Sequence, residues 1–152
     1  MFAGDCTISM DEKNRLVVPA IFRATLSQAD RDGLFMVADP AMAERCLRLY
    51  PRSYMDKIKS KIMREAGKTD RPEFFLRAIM GQMNYAALDG QSRFVVPGKL
   101  IDYAGLGREV LMVGMPEWIE VWDPKEHQAE TQRSREKYKD RLGRVLWAEG
   151  SD

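Results

Sequence analysis

At 152 residues, 45% hydrophobic and 31% charged, the chain has the size and mix of one globular domain or two small ones, which excludes wholesale disorder. No run approaches the roughly 20 apolar residues of a membrane-spanning helix. Residues 1–5 hold neither a basic region nor a long apolar stretch, so a secretory leader is not expected and a cytosolic location is. A net charge of +1 excludes a uniformly basic nucleic-acid binder, so any DNA-binding surface has to be a local patch offset by acids elsewhere.

In chain order, the sequence predicts a strand at 6–10 and a tight turn over Asp11-Glu12-Lys13-Asn14-Arg15. A strand at 16–18 follows, and Pro19 stops it because proline has no N–H to donate to a ladder. A short turn or helix is expected at 20–26, then strands at 34–39 and 46–50. The spacing of Met55, Ile58 and Ile62 predicts a helix over 53–66, with Lys57, Lys59, Lys61 and Arg64 on its wet sides. Asp70-Arg71-Pro72-Glu73 is a helix start, with Asp70 as N-cap, Pro72 in the first turn and an acid three residues on; that helix is expected to carry Phe74, Phe75, Ile79 and Met83. Strands are expected at 84–88 and 94–96, the second leaving a turn from Asp89 to Arg93 and ending at Pro97. A helix at 99–104 and strands at 109–114 and 118–122 complete this part. Asp123-Pro124-Lys125-Glu126 repeats the helix-start signal. The helix it opens is charged through about Arg141 and apolar at Leu142, Val145, Leu146 and Trp147.

This order contains a repeat. At an offset of 78 residues, Asp11-Glu12-Lys13-Asn14-Arg15-Leu16-Val17-Val18-Pro19 aligns with Asp89-Gly90-Gln91-Ser92-Arg93-Phe94-Val95-Val96-Pro97. Asp, Arg, both Val and Pro are identical, and position 16 stays apolar. The flanking strands and helices recur as well, so one supersecondary unit occurs twice. A unit of about 45 residues is too small to bury a good core alone; interlocking two units of one chain solves this, and a homodimer of single units would do the same between chains. The fold class is α+β: two tandem β units with intervening and C-terminal helices.

The chemistry concentrates in the two turns. Arg15 and Arg93 carry planar forks of donors suited to phosphate or to guanine O6 and N7. A two-stranded ribbon is narrow enough to enter the major groove. The competing reading of each Asp-x-x-x-Arg is a pair that only braces its own turn; recurrence favours contact by Arg15 and Arg93, with Asp11 and Asp89 structuring the turns. Lys13 is a candidate phosphate contact, and Asn14 a candidate adenine reader or a backbone device. Arg23 extends the basic patch. The lysines at 57, 59 and 61 read as a solvated helix face. Trp118, Trp122 and Phe94 read as core or subunit interface. Cys6 and Cys46 read as small buried residues, and one histidine with two distant cysteines makes no zinc site, so no metal or cofactor is expected. His127 has no companion nucleophile or acid.

The N-terminal Met-Phe-x-Gly, the twin Asp-x-x-x-Arg turns with Val-Pro, Cys46-Leu47-Arg48-Leu49-Tyr50-Pro51, Tyr103-Ala104-Gly105-Leu106 and Glu109-Val110-Leu111-Met112-Val113-Gly114 resemble the MraZ family, in order and over residues 1 to about 145. The resemblance implies two AbrB-type (SpoVT-AbrB, swapped-hairpin) domains, at 1–52 and 84–124, with linker helices at 53–83 and a C-terminal helix and tail at 125–152. It implies a ring-shaped homo-oligomer in the cytoplasm, associated with the nucleoid. It also implies transcriptional control, mainly repression, of a division and cell-wall gene cluster through repeated double-stranded DNA elements upstream of its promoter. The family pattern has Gly before each turn Arg where this chain has Asn14 and Ser92. Asn tolerates φ > 0 well and Ser less well, so the second turn is expected to differ in shape, and DNA contact is expected first of the first turn. The alternatives are a ring-forming adaptor that binds protein partners without DNA and, more narrowly, an antitoxin-like relative. Two units and a capped helix argue against the antitoxin. An enzyme is the weakest reading, since no phosphate-binding loop, metal set or nucleophile constellation is present.

Overall fold

The alternation of apolar residues that predicts strands holds in the computed structural model, which describes residues 1–38 and 45–147. Asp39, the end of one expected strand, and 148–152 of the expected tail lie outside the described residues. Among those described, the strands are β1 (Asp5–Ser9), β2 (Arg15–Val17), β3 (Gly33–Val37), β4 (Leu47–Pro51), β5 (Met83–Ala87), β6 (Arg93–Val95), β7 (Glu109–Gly114) and β8 (Ile119–Trp122). The helices are α1 (Ala20–Arg23), α2 (Arg52–Gly67), α3 (Pro72–Met80), α4 (Gly98–Ala104), α5 (Pro124–Lys137) and α6 (Lys139–Leu146).

The two units exchange strands. One sheet runs β1-β7-β8-β4-β3-β5, and β2 pairs with β6 in a separate two-stranded ribbon. The first strand of each unit therefore lies beside the other unit's third: β1 on β7 and β5 on β3, all antiparallel. The order reads the same from either edge once equivalent strands are matched, so a pseudo-two-fold axis passes between β4 and β8. There Leu47 faces Val121, Arg48 faces Glu120 and Leu49 faces Ile119. Arg48 and Glu120 hold equivalent positions and form the middle pair of this ladder, so they meet on the axis.

The inner face of the sheet, with Leu34, Met36, Leu47, Leu49, Val110, Met112, Ile119 and Val121, packs against Leu16, Val18, Phe22, Phe94, Val96 and Leu100 from the ribbon and the short helices α1 and α4. All are almost fully buried, so this layer carries most of the hydrophobic stabilisation. Pro19 and Pro97 sit immediately before α1 and α4 in matching conformations, φ −58° at both. Each ends a strand and opens a helix, since a fixed φ suits both tasks.

Helices cover the other face. Val37 and Tyr50 on that face join Met55, Ile58 and Ile62 of α2 and Phe75 and Ile79 of α3 around an apolar cavity of about 510 Å³. Buried Asp30 ties α2 to the preceding loop, accepting from the Ser27 hydroxyl (2.8 Å) and from the backbone N–H (3.1 Å) and hydroxyl (2.9 Å) of Ser53. Burial, the largest single influence on this carboxyl, pushes its pKa up, but these hydrogen bonds outweigh it and hold the group below its ordinary range.

Three details depart from the sequence reading. Asp70 does not cap α3: Arg71 occupies the N-cap position without a side-chain cap bond. Pro72 alone starts the helix, its fixed φ suiting the first turn. Met83 is not on α3, which ends at Met80; it opens β5 opposite Val37, so the sheet claims it. The C-terminal helix is capped by Asp123, which accepts from the Glu126 N–H, but it breaks at Tyr138 (φ −112°, ψ 19°) into α5 and α6. Leu142, Val145 and Leu146 on α6, and Trp147 just after it, are exposed.

Candidate nucleic-acid interface

The site grows from two turns of one design. In the first, Asn14 N–H donates to the Asp11 carbonyl (3.0 Å) and Asp11 N–H to the Arg15 carbonyl (3.1 Å). The Asp11 carboxylate completes the turn: Oδ1 accepts from Lys13 N–H (2.9 Å) and Arg15 N–H (2.8 Å), and Oδ2 from Arg15 Nε (2.7 Å). Asp89 repeats each bond, Oδ1 with the N–H groups of Gln91 (2.8 Å) and Arg93 (2.9 Å), Oδ2 with Arg93 Nε (2.8 Å). Closing such a loop takes one residue in the left-handed region after the turn. Asn14 (φ 58°) and Ser92 (φ 59°) fill that position. The expectation that the second turn differs in shape is corrected: Ser92 takes the same conformation as Asn14, and the carboxylate bonds hold it there.

Ser92 is strained, because a Cβ crowds the following carbonyl in this region. Ser92→Gly is expected to stabilise the protein by about 0.5 kcal/mol, the relief of that strain less glycine's larger unfolded entropy. At this chain length that is a rise in Tm of about 1–2 °C. Asn14→Gly is expected to change little, since Asn bears this conformation well. Thermal melts of both variants check the difference.

Each turn aspartate titrates below its ordinary range. For Asp11 the Arg15 N–H contributes most; partial desolvation opposes it, and the Arg15 side chain and Lys13 N–H add to it. For Asp89 the Arg93 N–H leads, again against desolvation, and the Gln91 N–H and Arg93 side chain add to it. A depressed folded pKa stabilises above the unfolded value, 3.8, and that stabilisation disappears as pH falls through the folded value. The turns are therefore expected to hold from neutral pH down to about pH 4 and to release below it. Asp11→Asn with Asp89→Asn is expected to flatten the acid limb of a stability-against-pH curve and leave its shape above pH 5 unchanged.

The ribbon brings the two turns together. Arg15 pairs with Val95, Leu16 with Phe94 and Val17 with Arg93. Beyond the ladder, Val18 N–H donates to the Ser92 carbonyl (2.9 Å) and Val96 N–H to the Asn14 carbonyl (2.8 Å), so each tip is clamped by the other unit's Val-Pro. Leu16 and Phe94 point into the core. Alternation along a strand then puts Arg15, Val17, Arg93 and Val95 on the outward face. Arg15 and Arg93 lie diagonally on one surface, with side chains 26% and 28% exposed. The aspartate holds each guanidinium through Nε, which restrains the fork and leaves its Nη groups uncommitted to the aspartate.

Lys13 and Asn14 are exposed at the first tip, and Gln91 is exposed at the second. Arg23 is partly committed, donating to the Val18 carbonyl at 2.9 Å. With Arg31, which the sequence reading did not single out, it lines a depression beside Ser92; these two charges stand where Gln91 supplies none. The lysines at 57, 59 and 61 ride on α2, across the sheet from the ribbon. Trp122 and Phe94 are buried. Half-buried Trp118 packs beside Tyr50 and Tyr54, with Arg48 4.8 Å over its ring. The His127 ring packs edge-on against Trp122 and meets the Thr131 hydroxyl. Cys46 is buried and Cys6 half-buried. Among the described residues, no helix is long and apolar enough to cross a membrane.

A family model described as "MraZ protein, putative antitoxin-like" matches residues 79–145. A relative from Nitrosospira multiformis, named "Transcriptional regulator MraZ", is 34% identical over 123 residues, covering 81% of this chain and 82% of the relative. Relatives of the same name from Methylobacillus flagellatus (33% over 133 residues, 88% of each) and Shewanella woodyi (31% over 140 residues, 92% of this chain and 91% of the relative) extend the match over nearly the whole length. The twin turns, the exchanged strands and this similarity across four-fifths or more of the sequence place the chain in the MraZ family.

Proposed function

We propose that this chain is a cytoplasmic, non-enzymatic transcriptional regulator that binds double-stranded DNA with the outward face of the β2–β6 ribbon. The observation that carries the reading is the placement of Arg15 and Arg93 on one face, each oriented by its aspartate and flanked by an exposed tip. In the finer reading, copies assemble into a ring on the nucleoid, recognise repeated elements upstream of a promoter, and repress a division and cell-wall gene cluster. Residues 1–52 and 84–124 serve as the two DNA-binding copies, and 53–83 and 125–152 as helical additions. The relatives' name supports the regulator. Exposed Met63, Phe74 and Met80 on α2 and α3, with the apolar side of α6, favour the assembly, because association would cover them.

The test is duplex binding against salt. Retention should fall steeply as salt rises, with a slope set by the number of phosphates neutralised, and an adaptor for protein partners has no such slope. Lys13→Ala is expected to reduce the slope by about one for each tip engaged. Light scattering on the same sample is expected to give a mass well above the 17.5 kDa of one chain.

A further inference from the structure

We propose that Val95, with Val17 as its less exposed counterpart, reads thymine by packing on its C5 methyl group beside the base or phosphate held by the facing arginine. The inference rests on the DNA-binding reading and deepens it to base choice.

The ribbon register supports it. Val95 lies directly across from Arg15, and Val17 directly across from Arg93, so each arginine has a valine as its cross-strand neighbour. Residues so opposed have Cβ atoms about 5 Å apart. That is comparable with the roughly 3.4 Å rise between base pairs. A major-groove edge next to the one an arginine engages therefore falls within reach of the valine.

The side chains suit that task. Val95 is 56% exposed, an apolar branch on a face it shares with Val17 and two guanidinium groups. Strand propensity explains a β-branched residue there but does not choose Val over Thr, which has the same branching and suits water better. Both repeats nevertheless carry Val. In the major groove the thymine methyl is the apolar feature that separates T from the other bases, and apolar side chains recognise it by contact. The arginines supply the charge complementarity that brings a duplex onto this face. Val17 is more covered than Val95, which makes Val95 the stronger reader.

The test begins with a duplex selected from a random pool by the wild-type protein. Each thymine in it is then replaced singly by deoxyuridine, which removes only the methyl. Anisotropy titrations are run with wild type, Val95→Ser and Val95→Thr. We expect wild type to lose about fourfold in affinity at one or more positions, the worth of one buried methyl. Val95→Ser should bind the thymine duplex about that much more weakly and ignore the same replacement. Val95→Thr, which keeps one methyl, should retain part of the response. A wild type indifferent to every replacement overturns the proposal without protein variants, and so does a Val95→Ser protein that still responds at each sensitive position. If no duplex is enriched, or Arg15→Ala and Arg93→Ala bind the selected duplex as tightly as wild type, the DNA-binding reading falls and this proposal with it.

Discussion

Arg15→Ala is expected to weaken binding to a single DNA element by about 5- to 150-fold, the range of one lost arginine contact, and to weaken binding to several linked elements by more. The amplification follows from assembly. In the proposed assembly one ribbon on one short element would bind weakly while neighbouring copies would hold the next element at high effective concentration, so two or three elements in phase should bind about 100-fold or more tightly than one. A loss at each ribbon then compounds across the engaged subunits. Phase matters because elements face one side only near multiples of the roughly 10-base-pair turn. Arg93→Ala should behave similarly, since Arg93 shares the ribbon face with Arg15. The fold should survive both changes. The Asp11 carboxylate keeps its bonds to the Lys13 and Arg15 N–H groups when the side chain is gone, and partly exposed ion pairs contribute little to stability. Titrations against one, two and three elements, with melting curves alongside, check each step. Equal affinity for all three DNAs would remove the avidity mechanism, and a folded Arg15→Ala protein of unchanged affinity would remove Arg15 from the interface.

Much of this site was legible in the sequence because its signals are local. Asp11 and Arg15 are four residues apart, the turn closes within that span, and Val-Val-Pro marks the strand end on both occasions. The exchange of strands was legible only as a need, since units of this size require a partner. Which strand pairs with which is a matter of long-range register that no local spacing encodes. The shape of the second turn was not legible because the intrinsic preference of Ser92 points away from the left-handed region. The carboxylate and backbone bonds around it outweigh a strain of about 1–2 kcal/mol. Asp70 failed as a cap for the opposite reason: the signal was present, but the backbone at Arg71 (φ −136°, ψ 79°) carries the chain into α3 without a side-chain bond. The outward position of Val95 was readable from strand period alone, because Arg93 out and Phe94 in require Val95 out. Arg48 and Glu120 carried no such mark, since their meaning depends on the axis between β4 and β8.

That axis sets the other large effect: Arg48→Glu is expected to destabilise the protein by about 3–4 kcal/mol, a substantial part of the stability of a domain this size. Glu120 is buried and accepts from the Trp118 and Trp122 indole N–H groups, both at 3.0 Å. Arg48 Nε approaches its Oε2 at 3.6 Å, and Arg48 Nη1 donates to the Tyr50 hydroxyl at 3.3 Å. Burial works to lower the pKa of Arg48, but the Tyr50 bond and the nearby negative charge outweigh it, so the guanidinium stays charged. A glutamate at 48 would set a second carboxylate against Glu120 at directly paired positions, where like charges repel. Arg48→Met removes the attraction without adding repulsion. Glu120 keeps both indole donors, so a smaller loss of about 1–2 kcal/mol is expected. The same geometry distinguishes the two units. If two copies of one unit paired across such an axis, Arg would face Arg, or Glu would face Glu. Only a first unit against a second satisfies both charges, so the pair favours the heterotypic match over either homotypic one. Urea unfolding followed by circular dichroism ranks the variants. Arg48→Glu unfolding at the wild-type midpoint would mean that charge on the axis contributes nothing to holding the units together. The expected order is wild type, then Arg48→Met, then Arg48→Glu, with the last step reporting the repulsion together with the cost of burying a second carboxylate.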